Sequence, residues 1–358
     1  MTSETHEARK RVKSSPKKGG ACKKMKKTIK LRLLASACIA LLMLLASACI
    51  MPIAFADSYD TSPGTAHVLP AEPVITNPEL WNSGETVDKN NTALVVNTEY
   101  HVNFTVSHAS KLSYLDNLTI NMWNSGGGVG ENDTSTQRNR YQFLWEESTG
   151  TWSCPLSASY IVTGNCKDPG QASSLTSYEF TLAFKLSKVA NYSNGGAPYD
   201  GWQIKIYAYD EAPKYDSVQT LQFGVASYFD ITITDTTHAW SNLIPGTSIN
   251  VTVDGDADID FTVIANTNWK AQVEADGPLS KAPDTIPLTN LLVHKDTLGS
   301  AVAMTVEYAD VGGLTNQSPP TNEDPPTETS LKLWLTVPEG TPPGDYTYTL
   351  SIQIVIQS

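Results

Sequence analysis

Tyr178-Glu179-Phe180-Thr181-Leu182-Ala183-Phe184-Lys185-Leu186 decides the fold. Large apolar residues occupy every second position, and Glu179, Thr181 and Lys185 fall between them. Side chains of an extended chain alternate between two faces, so this pattern builds a strand with one buried face. A helix would need its apolar residues three and four apart. The same period runs through Tyr100, Val102, Phe104 and Val106; Leu118, Ile120 and Met122; Tyr141, Phe143 and Trp145; and Trp202, Ile204, Ile206 and Ala208. Some seven strands are predicted between about residues 70 and 225, with Glu147-Ser148-Thr149-Gly150 as a hairpin turn. No segment beyond Asp57 carries a sustained helical stripe.

A second run opens at Tyr228-Phe229-Asp230-Ile231-Thr232-Ile233-Thr234. It continues through Val251–Val253, Ile259–Ala265 and Leu331–Val337. It ends in a terminal strand, Tyr346–Gln357, whose Tyr346, Tyr348, Leu350, Ile352, Ile354 and Ile356 share one face. Pro319, Pro320, Pro325 and Pro326 make residues 316–330 a loop or extended linker, because proline cannot sustain a central strand. The 302 residues from Asp57 onward suffice for two cores. The expected architecture is all-β: two tandem β-sandwich domains, 70–226 and 227–358, after a linker at 57–69 and behind an N-terminal export signal. The terminal strand either completes its own domain or is donated to a neighbouring chain to build a fibre.

Two resemblances attach to these runs. Gly201-Trp202-Gln203-Ile204-Lys205-Ile206-Tyr207-Ala208-Tyr209-Asp210 resembles a late strand of prokaryotic Ig-like surface modules, which implies an immunoglobulin-like sandwich for 70–226. Asn268-Trp269-Lys270-Ala271-Gln272-Val273, with the later stretch from Leu335 to Leu350 around Pro338-Glu339-Gly340-Thr341-Pro342-Pro343-Gly344-Asp345-Tyr346, resembles the C-terminal part of WxL-type domains. Ala271 stands where that family has Leu. Those are secreted β-sandwiches of bacterial cell walls, so the resemblance implies architecture for 228–358.

The N-terminus assigns the compartment. Residues 1–32 hold twelve Lys or Arg and two acids, and Leu33 to Ala56 runs 24 residues without a charge, ending Ala54-Phe55-Ala56. A basic region, an apolar core and an Ala-x-Ala exit describe a signal peptide over 1–56. Met25-Lys26-Lys27 is an alternative start. Leu33–Ala56 is also long enough to remain as a membrane anchor. Of the chain's 25 basic and 37 acidic residues, this leader takes twelve and two. From Asp57 onward 13 basic residues therefore face 35 acidic ones, a net charge of −22. So acidic a chain is repelled by nucleic acid and by anionic membrane surfaces.

Export also recasts the polar chemistry. Cys22, Cys38 and Cys49 belong to the leader, leaving Cys154 and Cys166, which in an oxidising compartment are expected to pair. Asn90, Asn103, Asn117, Asn132, Asn191, Asn250 and Asn316 each open an Asn-x-Ser/Thr sequon and are glycosylation candidates. Asp254, Asp256, Asp258 and Asp260 alternate as hard oxygen donors would for Ca²⁺, although Ile259 and Ala265 stand where an EF-hand loop needs Gly and Glu. Trp123 and Trp334 fall on the opposite register from the aliphatic residues of their strands, which makes them candidates for stacking on a ligand such as a sugar. His101 is placed on a polar strand face and His108 at that strand's end, too far apart for one metal.

No Gly-x-Ser-x-Gly elbow, paired-His motif or phosphate-binding glycine loop with a following helix occurs in the chain. The expectation is a non-catalytic, exported cell-surface or extracellular protein of structural or adhesive role. It would meet envelope or extracellular protein or polysaccharide, or copies of itself. It would not meet nucleic acid, and it would touch membrane only through an uncleaved 33–56. The alternatives are a carbohydrate-binding protein using exposed Trp, and a secreted hydrolase whose carboxylates come from distant loops.

Overall fold

A computed structural model describes residues 71–193, 201–212, 214–235, 238–241, 243–247 and 258–357. The leader, the 57–69 linker and Val251–Val253 lie outside the described residues. Among the described residues nine strands form the first sandwich: β1 (Val74–Asn82), β2 (Ala93–Leu94), β3 (Glu99–Ser107), β4 (Leu115–Asn124), β5 (Arg140–Glu146), β6 (Thr151–Ser153), β7 (Ser177–Lys185), β8 (Trp202–Asp210) and β9 (Tyr215–Val225). The count exceeds the expected seven; β2, of two residues, is too short to show a period, whereas β6 is the partner strand that the hairpin turn implies.

One layer has the order β1-β3-β7 and the other β2-β9-β8-β4-β5-β6. Pairing is antiparallel except between β2 and β9. The predicted stripes meet between the layers. Phe104 stacks on Phe180 within one sheet, while Trp145 meets Phe180 edge-on at 5.2 Å and Phe143 meets Phe184 at 5.9 Å across the gap. Each such side chain, fully buried, contributes roughly 1.5–3 kcal/mol of transfer free energy. The hairpin turn falls where expected, with β5 and β6 paired around it and Gly150 at φ +61, a left-handed conformation that glycine adopts without a Cβ clash.

The second sandwich comprises β10 (Phe229–Ile233), β11 (Asp258–Ala265), β12 (Trp269–Ala275), β13 (Leu279–Lys281), β14 (Asp284–Ile286), β15 (Leu291–His294), β16 (Val302–Ala303), β17 (Ala309–Asp310), β18 (Thr327–Leu335) and β19 (Leu350–Ile356). Its sheets run β10-β11-β18-β15-β16 and β17-β12-β19, beside a β13-β14 hairpin. Phe261, Trp269, Val273, Leu331 and Leu333 fill the space between them. The terminal strand belongs to this domain: β19 pairs with β12 from Trp269↔Ile356 to Ala275↔Leu350. That is the in-domain alternative rather than donation to a neighbour, because the strand's hydrogen bonds on this side are already made within the chain. It also starts four residues later than the alternation predicts. Thr347 pairs instead with Ser280, which holds Tyr346–Thr349 off the β12 ladder.

Hydrogen bonds join the two sandwiches. Asn266, fully buried just beyond β11, accepts from Tyr228 N and donates to Ala226 O, each at 2.8 Å, while its backbone oxygen accepts from Tyr192 N. The proline-rich loop is more than a linker within its domain. Glu323 accepts from Lys188 N at 2.6 Å, its own N–H donates to Gln137 Oε1 at 2.7 Å, and Arg138 donates to Pro319 O. Lys188 also reaches Asp230 at 3.2 Å. Asn266→Ala strips partners from buried backbone groups and should cost about 1–3 kcal/mol. Urea unfolding checks this; an unchanged midpoint would mean that the junction contributes nothing to stability.

Candidate functional sites

Most residues singled out from the sequence do not form a site. Trp123 and Trp334, expected to be exposed, are 7% and 4% exposed. Trp123 lies on a central strand between Arg140 of β5 and Gln203 of β8, under a polar layer in which Arg140, Gln142 and Glu131 converge on Asn121. Trp334 sits opposite Leu292 on β18 between Leu333 and Leu335, and all three consecutive residues are buried, so both faces are covered there. Neither ring is free to stack on a ligand.

Asp254 and Asp256 lie outside the described residues. Asp258 and Asp260 share one face of β11, where the cross-strand neighbour Lys332 contacts Asp258 Oδ2 at 3.1 Å. Among the described residues no cluster of His, Cys, Asp and Glu has the geometry of a metal site.

The expected disulfide is not made; Cys154 and Cys166 are both free. The Cys166 sulfur is engaged instead by β7, accepting from Ala183 N at 3.4 Å. Burial pushes the Cys166 thiol up to about 11 and raises that of Cys154, so both stay protonated and weakly reactive at neutral pH. A chain beginning at Asp57, titrated with a thiol reagent without reductant, should react slowly while folded and yield two thiols on unfolding. A yield of none would restore the disulfide.

Asn103 is buried on β3, which rules it out as a glycan acceptor in the folded chain. Asn132 and Asn316 are exposed in loops. Asn90, Asn117 and Asn191 are half-buried; Asn90 accepts from Gln222 N, Asn117 donates to Asp116, and Asn191 accepts from Arg138. Asn250 lies outside the described residues.

His101 is not the surface residue its register suggests. It is 5% exposed, with Nδ1 3.0 Å from Glu85 and Nε2 3.0 Å from Glu99. Both ring nitrogens therefore face a carboxylate oxygen. Lys167 contacts Glu85 at 3.2 Å, Asn165 donates to Glu99 at 2.6 Å, and Glu85, His101, Asn165 and Lys167 line a cavity of about 400 Å³. The His101 hydrogen bond, with help from Lys167, holds Glu85 below its ordinary 4.5. Burial pushes Glu99 up, but hydrogen bonds from His101 and Asn165 together outweigh it and leave Glu99 lowered too. A depressed carboxylate stabilises the fold fully above its ordinary pKa and loses that contribution as pH falls through its folded value. The urea midpoint should therefore drop below about pH 4.5, and Glu99→Gln should flatten that drop; an identical pH profile in the variant would contradict the assignment.

His108, placed by its spacing at a strand end, is buried there against Asp210, with Nε2 3.2 Å from Oδ2 and side-chain exposures of 2% and 3%. Its Nδ1 accepts from Ser110 N and Lys111 N, which puts the proton on Nε2, facing Asp210. Both nitrogens are engaged and enclosed, so the pair supports the fold and has no free nitrogen for acid–base chemistry. His294 repeats half of this device at the end of β15, where its Nδ1 accepts from Asp296 N and Thr297 N.

A further opening lies in the second sandwich. A cavity of about 1040 Å³ is lined by His238, Trp240, Tyr346 and Tyr348 over a floor that includes Leu335 and Val337. The rings meet edge-on, His238 to Tyr348 at 5.2 Å and His238 to Trp240 at 6.3 Å. Two polar atoms here, Trp240 Nε1 and Tyr348 Oη, are buried without a hydrogen-bond partner among the described residues. Burial lowers His238, leaving it neutral at pH 7, and raises the Tyr348 phenol far above neutrality. Register alone reads both tyrosines as strand core, and Trp240 sits in no strand, so the period could not mark the site.

No family model and no curated protein matches the chain, so neither the Ig-like nor the WxL-type resemblance is carried by a family model. Among solved structures the chain is similar to the 35 kDa C-terminal fragment of the major pilin GBS80 of Streptococcus agalactiae, at 12% identity and a TM-score of 0.21, covering 78% of this chain and 91% of that one. A likeness at this level assigns neither family nor activity.

Proposed function

We propose that the chain is a non-catalytic structural or adhesive protein of the cell surface, exported by residues 1–56, with domains 70–226 and 227–358 acting together. The observation that carries this reading is the junction. Asn266 and Glu323 tie the two sandwiches by hydrogen bonds to backbone and side chain, as a protein that holds its domains in fixed relation requires. The acidity from Asp57 onward supports a solvated surface that repels anionic membrane and nucleic acid. Two steps test the reading. Cells lacking the chain should lose surface attachment or cell–cell aggregation, and the purified chain should leave a polysaccharide and peptide panel intact. Turnover of any panel member would replace this reading with that of a secreted hydrolase.

A further inference from the structure

We propose that the cavity bounded by His238, Trp240, Tyr346 and Tyr348 binds an uncharged oligosaccharide. The lining selects the ligand class in three ways. First, aromatic rings form its walls, and aromatic faces suit the C–H faces of sugar rings. Second, Trp240 Nε1 can only donate and Tyr348 Oη can donate or accept, and both are buried without a partner. A buried polar atom left unpaired is costly, and sugar hydroxyls supply an acceptor to the first and either role to the second. Third, Asp345, on the exposed rim, is the lining residue with a formal charge among those described. Lys281, 6.0 Å from the Tyr346 ring, is already bonded to Pro343 O. Among the described lining residues only Asp345 could pair with a charged ligand, and only with a cation at the open rim. The volume, just above the range of roughly 300–1,000 Å³ for small-molecule sites, exceeds what a single sugar needs.

This inference stands apart from the surface role and does not need it. It also moves sugar stacking away from Trp123 and Trp334, whose rings are covered.

The test is titration of the full chain with neutral cello-, malto-, xylo- and chito-oligosaccharides, followed by calorimetry and Trp fluorescence. Uronic-acid oligomers and proline-rich peptides serve as competing classes. One neutral series should bind, more tightly as the oligomer lengthens. Tyr348→Phe, which removes only the hydroxyl, should weaken binding about tenfold, and Trp240→Ala should weaken it further. Tyr215→Ala, an exposed change in the first sandwich, should leave it unchanged. Failure of every neutral series, preference for the acidic oligomers or the peptides, or indifference to Tyr348→Phe would each overturn the proposal. Tyr348→Phe keeps the ring, so unfolding of the Trp240 variant would not remove the test.

Discussion

Trp202→Ala should destabilise the first sandwich by about 3–5 kcal/mol, the usual range for emptying a buried aromatic site. Trp202 is fully buried on β8, between β4 and β9. Its ring stacks on Phe223 at 5.9 Å and 13° and tilts against Tyr141 at 5.6 Å, and Nε1 donates to Asn191 O at 3.0 Å. Alanine forfeits the ring burial, both aromatic contacts and the hydrogen bond. The neighbours cannot collapse into the space, because Tyr141 is itself fixed by its hydroxyl, which donates to Gln137 O and accepts from Ser187 N. Urea unfolding followed by circular dichroism reads the loss. A cost below about 1 kcal/mol would mean that this aromatic cluster is not the packed centre described.

Asp210→Ala should cost roughly 1–3 kcal/mol for each of the two hydrogen bonds it strips, for a different reason. Asp210 Oδ2 faces His108 Nε2 and Oδ1 accepts from Ala212 N at 2.9 Å. Removing the carboxylate leaves the His108 N–H buried without an acceptor and frees the turn after β8. Asp210→Asn retains one acceptor oxygen and should cost markedly less. Equal losses in the two variants would show that the carboxylate's charge, rather than its hydrogen bonds, sustains the site.

Strand identity was legible wherever one face of a strand was wet. Tyr141, Phe143 and Trp145 point inward as their period requires, and so do Trp202, Ile204, Ile206 and Ala208. The same logic misplaces residues on central strands. It assigns Trp123, His101 and Asn103 to solvent because they fall off the apolar register, yet β3 and β4 are covered on their second face as well. That cover is polar: Glu85 and Glu99 enclose His101, and Glu131 with Arg140 encloses Asn121. Polar cover leaves no hydrophobic signature in a sequence. The junction is hidden for another reason. Glu323 meets residues 135 and 186 positions away, and no local pattern marks a contact of that span. The cavity residues divide: Tyr346 and Tyr348 carry a strand-like period but precede β19, and only the tertiary fold places them beside His238 and Trp240.

The central claim, that this two-sandwich chain works outside the cell, is tested most directly by protease treatment of intact cells of the source organism, with the N-terminal peptide of the released protein identified by mass spectrometry. The account predicts peptides drawn from both sandwiches and a first residue at Asp57. Recovery of the chain only after lysis, with residues 1–56 still attached, would contradict it.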